Sequence, residues 1–362
     1  MSEVVNNETL KWLPEWTAAR ALWLRWPYRA DIFSDHGLAA QQDLLVLLER
    51  LQTTSLAVQL MVPSAERSKA EQAITAAGLQ PVTVHEVDYG DVWLRDCAPF
   101  VGADGVHRHF AFDSWGGIDD QWPLDIMARD WLSRTLKAST ERYTAVLEGG
   151  AIYTDGEGTG LACTGSTIYR EGNEDWSQAA FEDTLATALG IKKVLWLPGK
   201  LSADETGGHV DNMACFLAPG RIALNMPASP THPDYATCRR VLTFLERAKD
   251  AQGRSFEIVR MPLPPMPRLT AQEAATITTR QGIRRRIAGM PLMASYLNFI
   301  RAGNIVVLPE FGIAEDDEAY KVLAKALPDC TIIRAPTRGL LVGGGGWHCA
   351  SWVEPELGNG GG

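Results

Sequence analysis

Gly343-Gly344-Gly345-Gly346-Trp347-His348-Cys349-Ala350-Ser351-Trp352 lies close to the end of a 362-residue chain. Four consecutive glycines let a backbone turn left-handed and approach a ligand closely. Directly after them stands one cysteine, bracketed by two tryptophans. A thiol on such a turn beside aromatic walls is a candidate nucleophile for a flat substrate, set against the ordinary buried cysteine of a terminal strand. The segments upstream decide how the stretch is read. A helical pattern near 317–326 and a strand near 331–334 lead into the glycines, and this order of helix, strand and polar loop recurs along the chain.

Leu44, Leu47, Leu48 and Leu51 recur at the spacing of an amphipathic helix. A strand is expected at Leu56–Val62, then a helix capped by Ser64 and stopped by Gly78. The next strand, Val82–Val87, leads to the loop Asp88-Tyr89-Gly90-Asp91-Val92-Trp93-Leu94-Arg95-Asp96. A helix near 122–136 and a strand near 143–147 deliver Glu148-Gly149-Gly150. A helix near 177–189 and a strand at 194–197 deliver Asp204-Glu205-Thr206-Gly207-Gly208-His209-Val210-Asp211. A helix near 234–248 and a strand at 256–260 enter a Pro/Arg-rich loop, 261–293, long enough to form a lid or a solvated insertion.

The loop residues are spaced 52 (Asp96 to Glu148), 61 (Glu148 to His209) and 140 (His209 to Cys349). The last gap is about twice the others and holds a fourth unit with no functional residue assigned to it. Five units at this period fit an array or propeller. Four loops aimed at a common axis would surround one pocket with an acid, an acid, a His/Asp pair and a thiol. No Gly/Ser or charged linker divides the chain, so a single catalytic domain is expected over 1–362, frayed at 1–12 and 358–362.

Apolar residues make up 46%, charged residues 22%, and the net charge is −10. This balance suits a globular protein with a sizeable core and argues against nucleic acid as a partner. The polar start of the chain and the lack of an apolar run of ~18 residues predict no leader and no membrane, hence a cytoplasmic protein. Six cysteines without CxxC spacing read as free thiols.

Cys349 can attack only as a thiolate. His209 is the expected partner, because His209 and Asp211 would share one face of an extended segment. His348, the neighbour of Cys349, would face away from it. Asp96, Glu148 and Asp211 around one thiol call for a cationic ligand, since like charges in a cleft repel. A guanidinium fits: it is planar, permanently charged and gripped in a fork by carboxylates, and Trp93 would stack on it. No HExxH or second histidine at ligand spacing marks a metal site. The glycine run precedes no helix and so does not read as a phosphate cradle.

Taken together these residues resemble the agmatine deiminases of the guanidino-group-modifying superfamily, also labelled bacterial-type peptidyl-arginine deiminases. The resemblance rests on Leu13-Pro14-Glu15-Trp16 with Trp26-Pro27, Trp93-Leu94-Arg95-Asp96, Phe112-Asp113-Ser114-Trp115-Gly116-Gly117 and Leu147-Glu148-Gly149-Gly150. It continues through Asp155-Gly156-Glu157-Gly158-Thr159, Gly208-His209-Val210-Asp211-Asn212, Ser295-Tyr296-Leu297-Asn298-Phe299, Pro309-Glu310-Phe311-Gly312 and His348-Cys349. It implies a five-bladed α/β propeller, the pentein fold, with Cys349 as nucleophile and His209 as general acid and then base. Glu148 would bind a guanidinium nitrogen and orient His209, while Asp96 and Asp211 would grip the guanidinium.

The implied reaction needs no metal or organic cofactor and converts agmatine and water to N-carbamoylputrescine and ammonia through a thiouronium. The expected partner is a small cationic guanidino compound, with a homodimer or higher homo-oligomer left open. Where the family usually reads Gly-Gly-Gly-Asn-Ile-His-Cys, this chain has Gly346-Trp347 before His348, and Trp352 stands soon after Cys349. These tryptophans are expected to flank the nucleophile and so to move the substrate toward arginine, peptidyl arginine or another guanidino compound. An amidinotransferase on the same fold is the other alternative.

Overall fold

The computed structural model describes residues 12–79 and 82–357. The ends expected to fray lie outside the described residues, except for Trp12, whose ring packs edge-on against Phe100 at 5.0 Å.

Helix formation follows the apolar spacing. In Tyr235–Arg247 the buried residues are Cys238, Val241, Leu242 and Leu245, a stripe at i, i+3, i+4 and i+7 that turns one face to the core. Leu38–Leu51 buries Ala40, Leu44, Leu47, Leu48 and Leu51 in the same manner. Ser177 caps Gln178–Leu189 by accepting from the Ala180 N–H. The expected cap at Ser64 is corrected: Ser64 opens a short 3-10 turn, makes no side-chain cap and instead donates its N–H to Asp88 at 3.1 Å.

The longer helices each link two parallel strands of one small sheet, and in each sheet a further strand pairs antiparallel at one edge. The strands in chain order are β1 (Ala19–Arg25), β2 (Ala57–Val62), β3 (Val82–Glu86), β4 (Phe100–Val101), β5 (His107–Ala111) and β6 (Thr140–Val146). They continue with β7 (Ile152–Thr154), β8 (Thr159–Ala162), β9 (Lys193–Trp196), β10 (Ala214–Ala218) and β11 (Arg221–Met226). The last are β12 (Glu257–Pro262), β13 (Ile300–Ala302), β14 (Ile305–Glu310), β15 (Thr331–Pro336) and β16 (Ser351–Pro355).

Four sheets run β4-β5-β6, β7-β8-β9, β10-β11-β12 and β13-β14-β15, and the fifth runs β16-β1-β2-β3. In that fifth sheet β16 lies antiparallel to β1, with Leu24 opposite Ser351 and Trp23 opposite Trp352. The C-terminal strand thus completes the blade that the N-terminal strand begins. Sequence periodicity found one strand in each later unit because the antiparallel strands are short or buried throughout, as in β13 and β14, and show no alternation.

The residue that enters the first strand of each blade is what the fold aims inward. Asp96 precedes β4, Glu148 precedes β7, His209 and Asp211 precede β10, and Cys349 precedes β16. The fourth unit, expected to be silent, is corrected: it places Asn298 just before β13. Among the described residues no helix is long and apolar enough to cross a membrane.

Candidate active site

Cys349 sits on a turn rather than on extended chain, and four close approaches explain the glycines before it. A Cβ on Gly345 would come within 2.7 Å of the Trp93 ring, and one on Gly346 within 2.7 Å of Asn298 Oδ1. Gly344 alone of the four has a positive φ, +117°. Asn298 holds the turn from below. Its Oδ1 accepts the backbone N–H of His348 at 3.1 Å and of Cys349 at 3.3 Å, and its Nδ2 lies 3.1 Å from Cys349 Sγ. The thiol in turn lies 3.4 Å from Asp211 Oδ2.

His209 leaves the chain at a sharp turn, with Gly207 and Gly208 at φ +89° and +120°. Its N–H donates to Asp204 at 2.9 Å. Its Nδ1 lies 3.8 Å from Asp96 and its Nε2 3.8 Å from Glu148, within ion-pair range yet too long for hydrogen bonds. Gly150 makes this convergence feasible: a Cβ there would fall 2.6 Å from His209 Nδ1 and 2.9 Å from both Asp211 and Asp96. Its N–H donates to Asp96 Oδ1 at 2.9 Å. Glu148, fully buried, is paired with Arg170 at 2.9 Å.

Burial governs the charges, and neighbours then push them apart. Burial alone would lower the His209 pKa, but Asp96, Glu148 and Asp211 outweigh it and lift it to about 9. Burial, aided by Asp211 and Glu148 against His209, lifts Asp96 to about 6. Burial would also raise Asp211, but His348 and His209 hold it below the usual carboxylate value. Burial followed by Asp211 and Asp96 pushes the Cys349 thiol well above its ordinary range. These directions favour a neutral thiol beside an imidazolium, and the carboxylates that produce them favour a cationic ligand.

A cavity of about 650 Å³, counting the solvent at its mouth, opens onto this cluster. Asp96, His209, Cys349, Trp93 and Trp115 lie on its wall. Glu148 and Asp211 do not line it and are 0% exposed, so they act on the wall residues from behind. Trp115 Nε1 donates to Asp96 Oδ2 at 2.9 Å and fixes that carboxylate.

The family described as Porphyromonas-type peptidyl-arginine deiminase matches residues 11–355. The chain belongs to this family. It is 32% identical over 362 aligned positions to a protein named agmatine deiminase from Medicago truncatula, covering 95% of this chain and 96% of that one. An agmatine deiminase from Pseudomonas syringae pv. tomato is 32% identical, with 94% of each chain covered. The solved structure of an agmatine deiminase of Enterococcus faecalis superposes with a TM-score of 0.89 at 28% identity, covering 96% of each chain. The fold is the pentein propeller, as expected from the motifs.

Other expectations are corrected by the geometry. The two tryptophans beside Cys349 are not walls of the cavity. Trp347 is 1% exposed and donates Nε1 to the Pro336 carbonyl at 3.0 Å. Trp352 is buried and donates to the Pro99 carbonyl at 3.0 Å. The turn at Cys349 sends both rings into the core between blades, so they give no reason to move the substrate. His209 and Asp211 do converge, but across a 3-10 turn at Val210–Asn212 rather than along a strand. His348 also meets the cluster instead of facing away: its Nδ1 lies 2.9 Å from Asp211 and its Nε2 2.7 Å from Glu15. Neither histidine is hydrogen-bonded to the thiol; its side-chain partners among the described residues are Asn298 and Asp211.

Sequence reasoning assigned no role to Asn298, Arg170, Trp115, Glu15 or Arg95. Arg95 pairs with Glu15 at 3.1 Å, behind His348. The signal for Asn298 was the unit hidden in the long gap, since Asn298 lies 51 residues before Cys349, close to the 52 that separate Asp96 from Glu148. Ile283, Arg284 and Arg286 of the Pro/Arg-rich segment line the cavity. That segment is stitched down by Arg280 to Asp31 at 2.7 Å and to Asp119 at 2.9 Å.

Proposed function

We propose that this protein hydrolyses the guanidino group of a small cationic compound, with agmatine as substrate and N-carbamoylputrescine and ammonia as products. The observation that carries the reading is the meeting of one thiol, one imidazolium-prone histidine and three carboxylates, each delivered by a blade entrance to one end of the cavity. Full-length relatives bearing the name agmatine deiminase support the choice of substrate.

The steps follow from the charges. A guanidinium seated against Asp96 and near Asp211 supplies the positive charge that the enclosed carboxylates lack, and it lowers the cost of ionising Cys349, whose proton leaves to solvent. Sulfur bonds to the guanidinium carbon. His209, already an imidazolium, protonates one terminal nitrogen; the C–N bond breaks and ammonia departs, leaving a thiouronium. Neutral His209 then takes a proton from a water whose oxygen attacks the same carbon. The C–S bond breaks, the hydroxyl proton returns to sulfur, and the ureido product leaves. Glu148 steadies His209 throughout from behind, and Trp93 offers a face to the planar group.

A single catalytic unit is inferred because β16 closes onto β1. A cytoplasmic setting is inferred from six cysteines that are all free. The test is ammonia release from agmatine, arginine and a blocked arginine peptide, with and without an amine acceptor. Ammonia from agmatine alone supports the reading. Turnover that requires an acceptor amine would instead make the protein an amidinotransferase.

A further inference from the structure

Behind the nucleophile lies a set of charges that the reaction as derived does not use. His348 is buried and lines no part of the cavity beside Cys349. Each of its ring nitrogens meets a carboxylate: Nδ1 lies 2.9 Å from Asp211 Oδ2, and Nε2 lies 2.7 Å from Glu15 Oε1. A neutral imidazole carries one N–H and can donate to one of these carboxylates, whereas an imidazolium donates to both. Tyr153 closes another side, its hydroxyl 2.8 Å from Nε2 and its ring stacked on the imidazole at 5.3 Å. Two positive charges oppose the proton from behind Glu15: Arg95, paired with it at 3.1 Å, and Arg301. Burial and Arg95 work against a charged ring, but Glu15 and Asp211 outweigh them and raise the His348 pKa. Glu15 comes from the segment before β1, and the Cys349 turn leads into β16, the strand paired with β1. Closure of that blade therefore assembles the pair.

Asp211 is 0% exposed, so water does not stabilise its charge. His348 and His209 are the cations that offset burial there, against the carboxylates of Asp96 and Glu148 close by. His209 is shared among these carboxylates and gives up its proton when ammonia departs. At that moment Asp211 needs another cation to stay ionised beside the thiouronium. We propose that His348 is a positioning residue, a fixed cation that keeps Asp211 charged toward the guanidinium while His209 cycles, with Glu15 holding it in place. This rests on the deiminase reading above. No bond to hydrogen forms or breaks at His348; it acts through Asp211 alone, which lies 3.4 Å from the thiol.

The experiment follows agmatine binding to the Cys349→Ala protein by calorimetry at about pH 6, in buffers of different ionisation enthalpy, which counts the protons released. Asp96, at about 6, contributes part of a proton with or without a further change at His348. Adding His348→Asn leaves an amide able to donate to Asp211 but removes the charge. Burial then raises Asp211, and a guanidinium must expel its proton on binding. Release should grow by up to about one proton, and Kd should rise about tenfold or more, the equivalent of a pKa unit or more. Glu15→Gln keeps a hydrogen-bonding oxygen near Nε2 and removes one of the charges that hold the imidazolium. It should move both readings in the same direction by less, and it carries the test if His348→Asn does not fold. A weaker Kd with unchanged proton release makes His348 a packing residue and overturns the proposal, as does an unchanged Kd. Failure to bind agmatine, with no ammonia from it in the wild type, overturns the deiminase reading and this proposal with it.

Discussion

At the floor of the cavity the charges are buried and held by blade entrances, whereas at its outer end Glu205, from the loop before β10, faces Arg284 and Arg286 from the Pro/Arg-rich segment. Asp96 is fixed by Trp115 and Gly150, Asp211 by His348, and Glu148 by Arg170. Each sits where water cannot screen it, so one misplaced or missing partner is felt at full strength. Arg284, with 47% of its side chain exposed, keeps access to solvent and can exchange partners at little cost. Rigid enclosed charges suit bond making; screened, adjustable charges suit choosing among substrates.

The largest break in this comparison comes from the thiol. Cys349→Ala should abolish ammonia release while calorimetry still detects agmatine binding; residual activity near the wild-type rate would remove Cys349 from the mechanism. Next comes the floor carboxylate that faces the cavity. Asp96→Asn should weaken binding by about 2–4 kcal/mol, as for one partner removed from a buried charge pair. An unchanged Kd would show that Asp96 does not meet the guanidinium.

A smaller effect is expected from the turn itself. In Gly346→Ala the new methyl group meets Asn298 Oδ1 at 2.7 Å. The turn must shift, costing about 1–3 kcal/mol, to be read as a lower Tm together with a lower kcat. A fall in Tm with full kcat would show that Asn298 supports the fold without positioning the thiol.

The smallest effect is a slope. The folded pKa of His209, about 9, lies above its ordinary value of 6.5, so the folded state holds a proton that the unfolded state releases. The stabilisation is fully present below about 6.5 and is lost as pH rises through about 9. The Tm of the ligand-free protein should therefore fall over that window, and His209→Asn should flatten the fall. A slope unaltered by that substitution would mean that the floor carboxylates do not hold His209 charged.

The helices and the chemistry-bearing loops were legible in the chain because both depend on local signals. Leucines at helical spacing specify a buried stripe, and Gly207-Gly208 before His209 or Gly343–Gly346 before Cys349 mark backbone that must turn tightly. Other features had no local signal. Asn298 carries no reactive group and lies just before β13, a short strand buried throughout, so neither composition nor alternation singled it out. Trp347 and Trp352 are neighbours of Cys349 along the chain, but a turn scatters adjacent side chains in different directions, and both rings went to the core.

The amino-acid sequence by itself determined which side chains are available for the chemistry, the spacing of the units that carry them, and the resemblance that joins those units into a pentein. Only the tertiary structure decided which carboxylates face the cavity and which brace it from behind. It also decided that Asn298 and Asp211 are the thiol's partners, and that Arg286 occupies Glu205. Those outcomes depend on distances of a few ångströms between residues far apart in the chain and on the water that burial removes. Neither quantity exists until the blades have closed around their common axis.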